Sequence, residues 1–275
     1  MLRSCSLLDF LENSLSMKRR TFVKSSLAAC VAGTSVLSQK GHSAEAASSA
    51  REYYELRAYK VKPGKESLFD DYMSKAFIPA LGRFGIGPVG VFAENVGTVY
   101  VLIVYKSPDQ AATLSARLAA DTQHQQDAAD YLAVLPADAV YERIESSLLG
   151  AISGIPKLEK PDTSKARILN LRIYESHNER AAKKKIELFN LHELAIFRKA
   201  GLKPVFFGET LIGPRMPNLT YMLVFDDDAA RNTAWGHFGG DPDWKKFSAM
   251  PEYADKAIVS KITNKILTPA AYSQI

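Results

Sequence analysis

An internal repeat constrains this chain more than any other feature. Tyr54-Glu55-Leu56-Arg57-Ala58-Tyr59 is echoed about 115 residues later by Leu169-Asn170-Leu171-Arg172-Ile173-Tyr174, with Leu-Arg-x-Tyr common to both. Three more matches follow in the same order. Gly85-Ile86-Gly87-Pro88-Val89 aligns with Gly201-Leu202-Lys203-Pro204-Val205, and Val99 to Val104 with Thr220 to Phe225 across an insertion, Gly213-Pro214-Arg215-Met216-Pro217. Last, Tyr141-Glu142-Arg143-Ile144 aligns with Val259-Ser260-Lys261-Ile262. Four collinear matches at spacings of 115 to 121 residues mean two copies of one structural unit.

Each copy has the same grammar. A short alternating Tyr- and Leu-rich strand leads into a helical stretch, Lys65 to Phe84 or Glu179 to Ala200. Gly85 and Gly201 then stand where a helix-ending glycine in the left-handed conformation belongs. Two β-rich runs follow, the second nearly all apolar, then a further helical region and a closing strand. In the second copy Asp241-Pro242 offers that helix an N-cap and a first-turn proline. The order βαββαβ predicts an α+β chain of two tandem ferredoxin-like units. The boundaries are 52–150 for the first unit, 151–166 for a Pro-, Gly- and charge-rich linker, and 167–275 for the second.

The segment before the repeats, 1–46, reads as an export leader. Lys18-Arg19-Arg20-Thr21-Phe22-Val23-Lys24 fits the twin-arginine pattern through Arg19, Arg20 and Phe22, and an apolar run with an Ala44-Glu45-Ala46 cleavage-type site follows. Met17 directly precedes the basic residues and is a second candidate start, while Leu27-Ala28-Ala29-Cys30 is a lipoprotein-type box that would anchor the chain at Cys30. The first route predicts a periplasmic or extracellular protein that meets the twin-arginine translocation machinery. No apolar run reaches the roughly 20 residues a permanent membrane span needs.

Removing the leader changes the chemistry on offer. The whole chain carries 35 Lys and Arg against 30 Asp and Glu. The leader holds six basic and three acidic residues, leaving 35−6 = 29 against 30−3 = 27, so the basic face that nucleic-acid binding requires has no compositional support. Both cysteines, Cys5 and Cys30, leave with the leader, which excludes disulfides and cysteine catalysis from the exported part. His124, His177, His192 and His237 form no metal-type doublet, so no metal site is predicted, and no nucleophile elbow or phosphate-binding loop is present.

The Tyr-Glu-Leu-Arg-x-Tyr opening, the helix ending in Gly-x-x-Pro, the apolar third strand and Asp241-Pro242-Asp243-Trp244 resemble NIPSNAP domains over nearly all of 52–275. The first copy departs in having Gln123-His124-Gln125-Gln126-Asp127 where that last motif is expected. The resemblance implies a dimeric α/β-barrel fold, which two tandem copies can build internally. Relatives of that barrel include haem proteins, which makes His192 a candidate axial ligand; otherwise no cofactor is expected.

Strand alternation supplies the ligand-site candidates. Tyr54, Leu56 and Ala58 share one face, and Glu55, Arg57 and Tyr59 share the other; in the second copy the polar set is Asn170, Arg172 and Tyr174. If the apolar set meets the helices, the polar set faces the space between the paired sheets and lines a cavity for an anionic or aromatic ligand. The competing reading is packing, with Arg57 paired to Glu55 or Glu142. Three functions remain: a non-catalytic module for a small molecule or peptide, a cofactor-independent or haem-dependent oxidoreductase or small-molecule-modifying enzyme, and an envelope interaction module. Homo-oligomers are compatible with all three. The missing catalytic constellations favour the first.

Overall fold

The computed structural model describes residues 51–94 and 97–275; the leader, with Arg19, Arg20, Phe22, Cys30, Ala44 and Ala46, lies outside them. Eight strands close into one antiparallel barrel. The first repeat supplies β1 (Tyr53–Val61), β2 (Val89–Ala93), β3 (Thr98–Tyr105) and β4 (Tyr141–Ala151). The second supplies β5 (Ile168–Glu175), β6 (Lys203–Ile212), β7 (Asn218–Phe225) and β8 (Lys261–Pro269). Around the barrel the order is β1-β3-β2-β8-β5-β7-β6-β4, so each repeat keeps its own four strands together in the same internal order. The two repeats meet at two junctions, β2 with β8 and β4 with β6.

The long helix after the first strand of each repeat is α1 (66–83) or α5 (179–200). Both are interrupted by a π-helical turn, Tyr72–Phe77 in α1 and Phe189–Glu193 in α5. The turn after each ends on a left-handed glycine, Gly85 at φ +66° and Gly201 at φ +88°, a conformation that is costly for a side chain with a Cβ. The later helices are α2 (Pro108–Ala120), α3 (Thr122–Asp127) and α4 (Ala129–Leu132) in the first repeat, and α6 (Asp228–Gly240), α7 (Pro242–Ser248) and α8 (Asp255–Ile258) in the second. Asp241 caps α7 by accepting from the backbone N–H of Asp243 and Trp244, as the Asp-Pro pair predicts.

The connection between repeats does more than tether them, since Ile152 and Ile155 are buried in the second repeat's core. The chain's end continues the sheet at β2: Ala270 N–H donates to the Val91 carbonyl at 2.9 Å and Gln274 N–H to that of Val89 at 3.0 Å.

One expectation is reversed. Leu56 and Leu171 point into the barrel, in an apolar cluster with Tyr54, Leu102, Leu149, Phe206, Met222 and Leu267. Tyr59 packs instead under α1 with Phe69 and Phe77, and Tyr174 under α5 with Phe189. Arg57, Arg172, Glu55 and Asn170 share that outer, helix-covered face. β1 and β5 are largely buried on both sides, so alternation separates the faces without saying which is inner. The interior of an eight-stranded barrel is just wide enough for side chains to fill, here aliphatic and aromatic ones, which leaves the guanidinium groups to the outside.

Candidate functional site

The barrel interior offers little space. A hollow of about 60 Å³ beneath the β6–β7 hairpin, lined by Leu56, Tyr100, Ile173, Arg215 and Asn218, is large enough for no more than a water or two. A wider groove of about 540 Å³ runs between the first turns of α5 and α8, but its rim mixes signs, and Lys184 pairs with Glu187 there at 2.8 Å. The polar residues that strand alternation groups together lie elsewhere, on the outer face of β1 and β5 beside the edges of β4 and β8.

The first repeat closes its polar set on itself. Arg57 donates through Nε and Nη2 to the two carboxylate oxygens of Glu55, at 2.7 and 3.0 Å, and through Nη1 to the Tyr59 hydroxyl at 3.3 Å. Tyr105 and Ser146 each donate a hydroxyl to the same carboxylate at 2.7 Å. Burial alone would raise the Glu55 carboxyl, but the Arg57 guanidinium and these hydroxyls hold it below the usual carboxylate range. The charge is balanced and the acceptor oxygens are well served.

The second repeat builds the same place from different residues. Asn170 stands where Glu55 does, and its side-chain amide donates to Asn264 Oδ1 at 2.6 Å while Oδ1 accepts from Trp235 Nε1 at 3.2 Å. Arg172 therefore lacks the neighbouring carboxylate. It donates through Nε and Nη2 only to the Tyr174 hydroxyl, at 3.3 and 3.1 Å, and Tyr221 donates to that same hydroxyl at 2.9 Å. The guanidinium lies 4.5 Å from the Trp235 ring centre. A guanidinium has five N–H donors in a planar fork. Those of Arg172 not used by Tyr174 have no acceptor among the described residues.

Behind Tyr174 lies a buried ion pair. Lys185 Nζ is 3.0 Å from Glu193 Oε2, each side chain 2% exposed, and 3.5 Å from Asp255. Aromatic rings enclose the ammonium, with Phe189, Tyr174 and Trp244 centred at 4.9, 5.2 and 5.5 Å. Sequence reasoning missed Lys185, Glu193 and Trp235. The available signal was two charges on the apolar face of α5.

His192 is drawn elsewhere, stacked on Phe247 with ring centres 3.9 Å apart and planes at 15°. Its ring is already used in packing, and it joins neither strand set, an arrangement that does not fit a haem ligand. Among the described residues no cluster of His, Cys, Asp and Glu is placed to hold a metal ion, and no helix is long and apolar enough to cross a membrane.

The two repeats have a counterpart among known families. The NIPSNAP family model matches residues 54–136 and 169–274, one stretch in each repeat. The chain belongs to the NIPSNAP family. No curated protein matches it. Among solved structures, this NIPSNAP chain is similar to a provisionally named monooxygenase from Fusobacterium nucleatum subsp. nucleatum ATCC 25586, at 13% identity and TM-score 0.52 over 80% of this chain and 93% of the other. One from Lactobacillus acidophilus NCFM is similar at 11% identity and TM-score 0.53, over 82% and 98%. An anthrone oxidase-like protein matches at 10% identity and TM-score 0.51, over 81% and 93%. At these identities the likeness concerns the barrel fold alone.

Proposed function

We propose that this NIPSNAP protein is an exported, non-catalytic binding module, acting in the periplasm or outside the cell, that holds a small planar anion at Arg172. One observation carries the reading: at the place where the first repeat neutralises Arg57 with a hydrogen-bonded Glu55, the second has Asn170 and leaves Arg172 with no carboxylate in hydrogen-bonding reach, only the longer-range attraction of Glu193. Buried or half-buried arginines are ordinarily paired, so an unpaired one with spare N–H groups is suited to an incoming carboxylate. Trp235 and Tyr174 add flat apolar surface beside it, and Asn264 a neutral hydrogen-bonding rim. Binding of this kind requires no cofactor.

The test restores the first repeat's residue. Asn170→Glu should neutralise Arg172 in place and weaken binding of benzoate, measured by calorimetry, by roughly tenfold or more, the worth of one charge-assisted hydrogen bond. Arg172→Ala should do the same, and unchanged affinity in both variants would overturn the reading. A cofactor-independent oxidoreductase is the second reading, motivated by the likeness to barrels named as oxygenases and oxidases. Turnover of a bound compound by the purified protein would favour it over simple capture.

A further inference from the structure

The two repeats serve as controls for one another. Counting back from the helix-ending glycines, Lys185 and Glu193 fall at the positions of Phe69 and Phe77 in the first repeat. The surroundings agree: Phe69 packs on Tyr59 with ring centres 5.0 Å apart, as Lys185 packs on Tyr174. Phe77 lies under the Arg57 guanidinium at 5.5 Å. The same fold, at the same two places, is thus built once with two phenylalanines and once with a buried ion pair. Desolvating two charges usually costs as much as their attraction returns, and an apolar pair of similar size is often as stable or more so. The fold itself does not call for Lys185 and Glu193.

Their contacts lead to Arg172. Glu193 holds Lys185, Lys185 lies against the Tyr174 ring, and the Tyr174 hydroxyl takes both of the guanidinium's intramolecular hydrogen bonds. On the far side Trp235 closes over the guanidinium and is itself tied to Asn170. Building on the function proposed above, we propose that Lys185 and Glu193 are positioning residues that fix Tyr174, and through it the free edge of Arg172, at the angle required to receive the carboxylate of a planar aromatic acid. The planarity follows from the walls, which are aromatic rings. The guanidinium fork matches carboxylate and phosphate alike, so the preference for a planar aromatic acid over inorganic phosphate follows from the same aromatic walls.

The decisive variant gives the second repeat the first repeat's residues, Lys185→Phe with Glu193→Phe. It should melt at or above the temperature of the parent protein, yet bind benzoate at least ~tenfold more weakly and lose its preference for benzoate over inorganic phosphate. Lower melting with unchanged affinity would make the pair structural and overturn the proposal. A ligand-free measurement separates this outcome from failure of the functional reading. The chain has two tryptophans, Trp235 and Trp244. In a Trp244→Phe background, Trp235 alone reports the guanidinium contact. The double substitution should make its fluorescence more accessible to acrylamide quenching, and unaltered quenching would overturn the positioning role whether or not benzoate binds. Where quenching changes but the parent protein binds no benzoate, the positioning stands in its geometry, and the carboxylate assignment, with the function resting on it, falls.

Discussion

The Arg83 guanidinium grips the Asp121 carboxylate through hydrogen bonds of 2.9 to 3.1 Å, tying the end of α1 to the start of α3. Lys199 and Asp241 repeat the link in the second half at 2.8 Å. Each aspartate also caps the helix behind it, so His124 stands in the place of Trp244. The motif at 241–244 thus has its counterpart at 121–124. A departure in sequence conceals a shared brace.

These braces should make the protein acid-sensitive. Asp121 is held below the ordinary carboxylate pKa by the His124 backbone N–H and by Arg83, and Asp241 first by Lys199. Depressed carboxyls contribute stability that is present above their unfolded pKa, near 3.8, and lost as pH falls through the folded value. Melting temperature followed from neutral pH downward should therefore fall more steeply in the parent protein than in an Asp121→Asn, Asp241→Asn variant.

The two strand arginines should respond unequally to truncation of their surroundings. Glu55→Ala leaves the Arg57 charge stranded and should cost about 3 kcal/mol, the lower end for breaking a buried pair because both groups keep some exposure. Arg172→Ala removes no hydrogen-bonded carboxylate partner and gives up mainly the Trp235 contact, about 1–2 kcal/mol, together with a longer-range attraction to Glu193. Urea unfolding of the two variants checks the ranking; equal losses would mean that Arg172 has a counter-ion after all.

At the β4–β6 junction the strands approach too closely for any extra atom. A Cβ on Gly208 would lie 2.8 Å from the Leu149 Cβ. Gly208→Ala should lower stability by about 1–3 kcal/mol, measured by urea unfolding, as overpacking of a filled interior does.

The proposed export supplies a prediction independent of the barrel. Arg19→Lys together with Arg20→Lys should leave unprocessed precursor in the cytoplasm, seen by fractionation and immunoblotting, because the translocation machinery reads the arginine pair. Unchanged processing would refute the twin-arginine assignment.

Much of the architecture was legible because hydrophobic periodicity and glycine position are local signals. Gly85, Gly201 and Asp241-Pro242 mark helix ends in the sequence and do so in the structure. Which face of β1 and β5 turned inward was not legible, since both faces are buried and the sign of the alternation is set only by barrel closure. Asn170 opposite Glu55 was visible in the aligned repeats. Its meaning depended on the Arg57–Glu55 contact, and that of Lys185 on its enclosure by Tyr174, Phe189 and Trp244, both consequences of tertiary packing.

A barrel assembled from two identical chains must write every residue twice, so any change that improves one half is imposed on the other. Joining the halves in one polypeptide lifts that obligation. The exchange of Glu55 for Asn170, and of two phenylalanines for Lys185 and Glu193, could then be made on one side alone. The first half is free to act as ballast, keeping the closed sheet sound while the second tolerates the less comfortable arrangement of charges. On the function proposed above, duplication separates the duty of staying folded from the freedom to specialise.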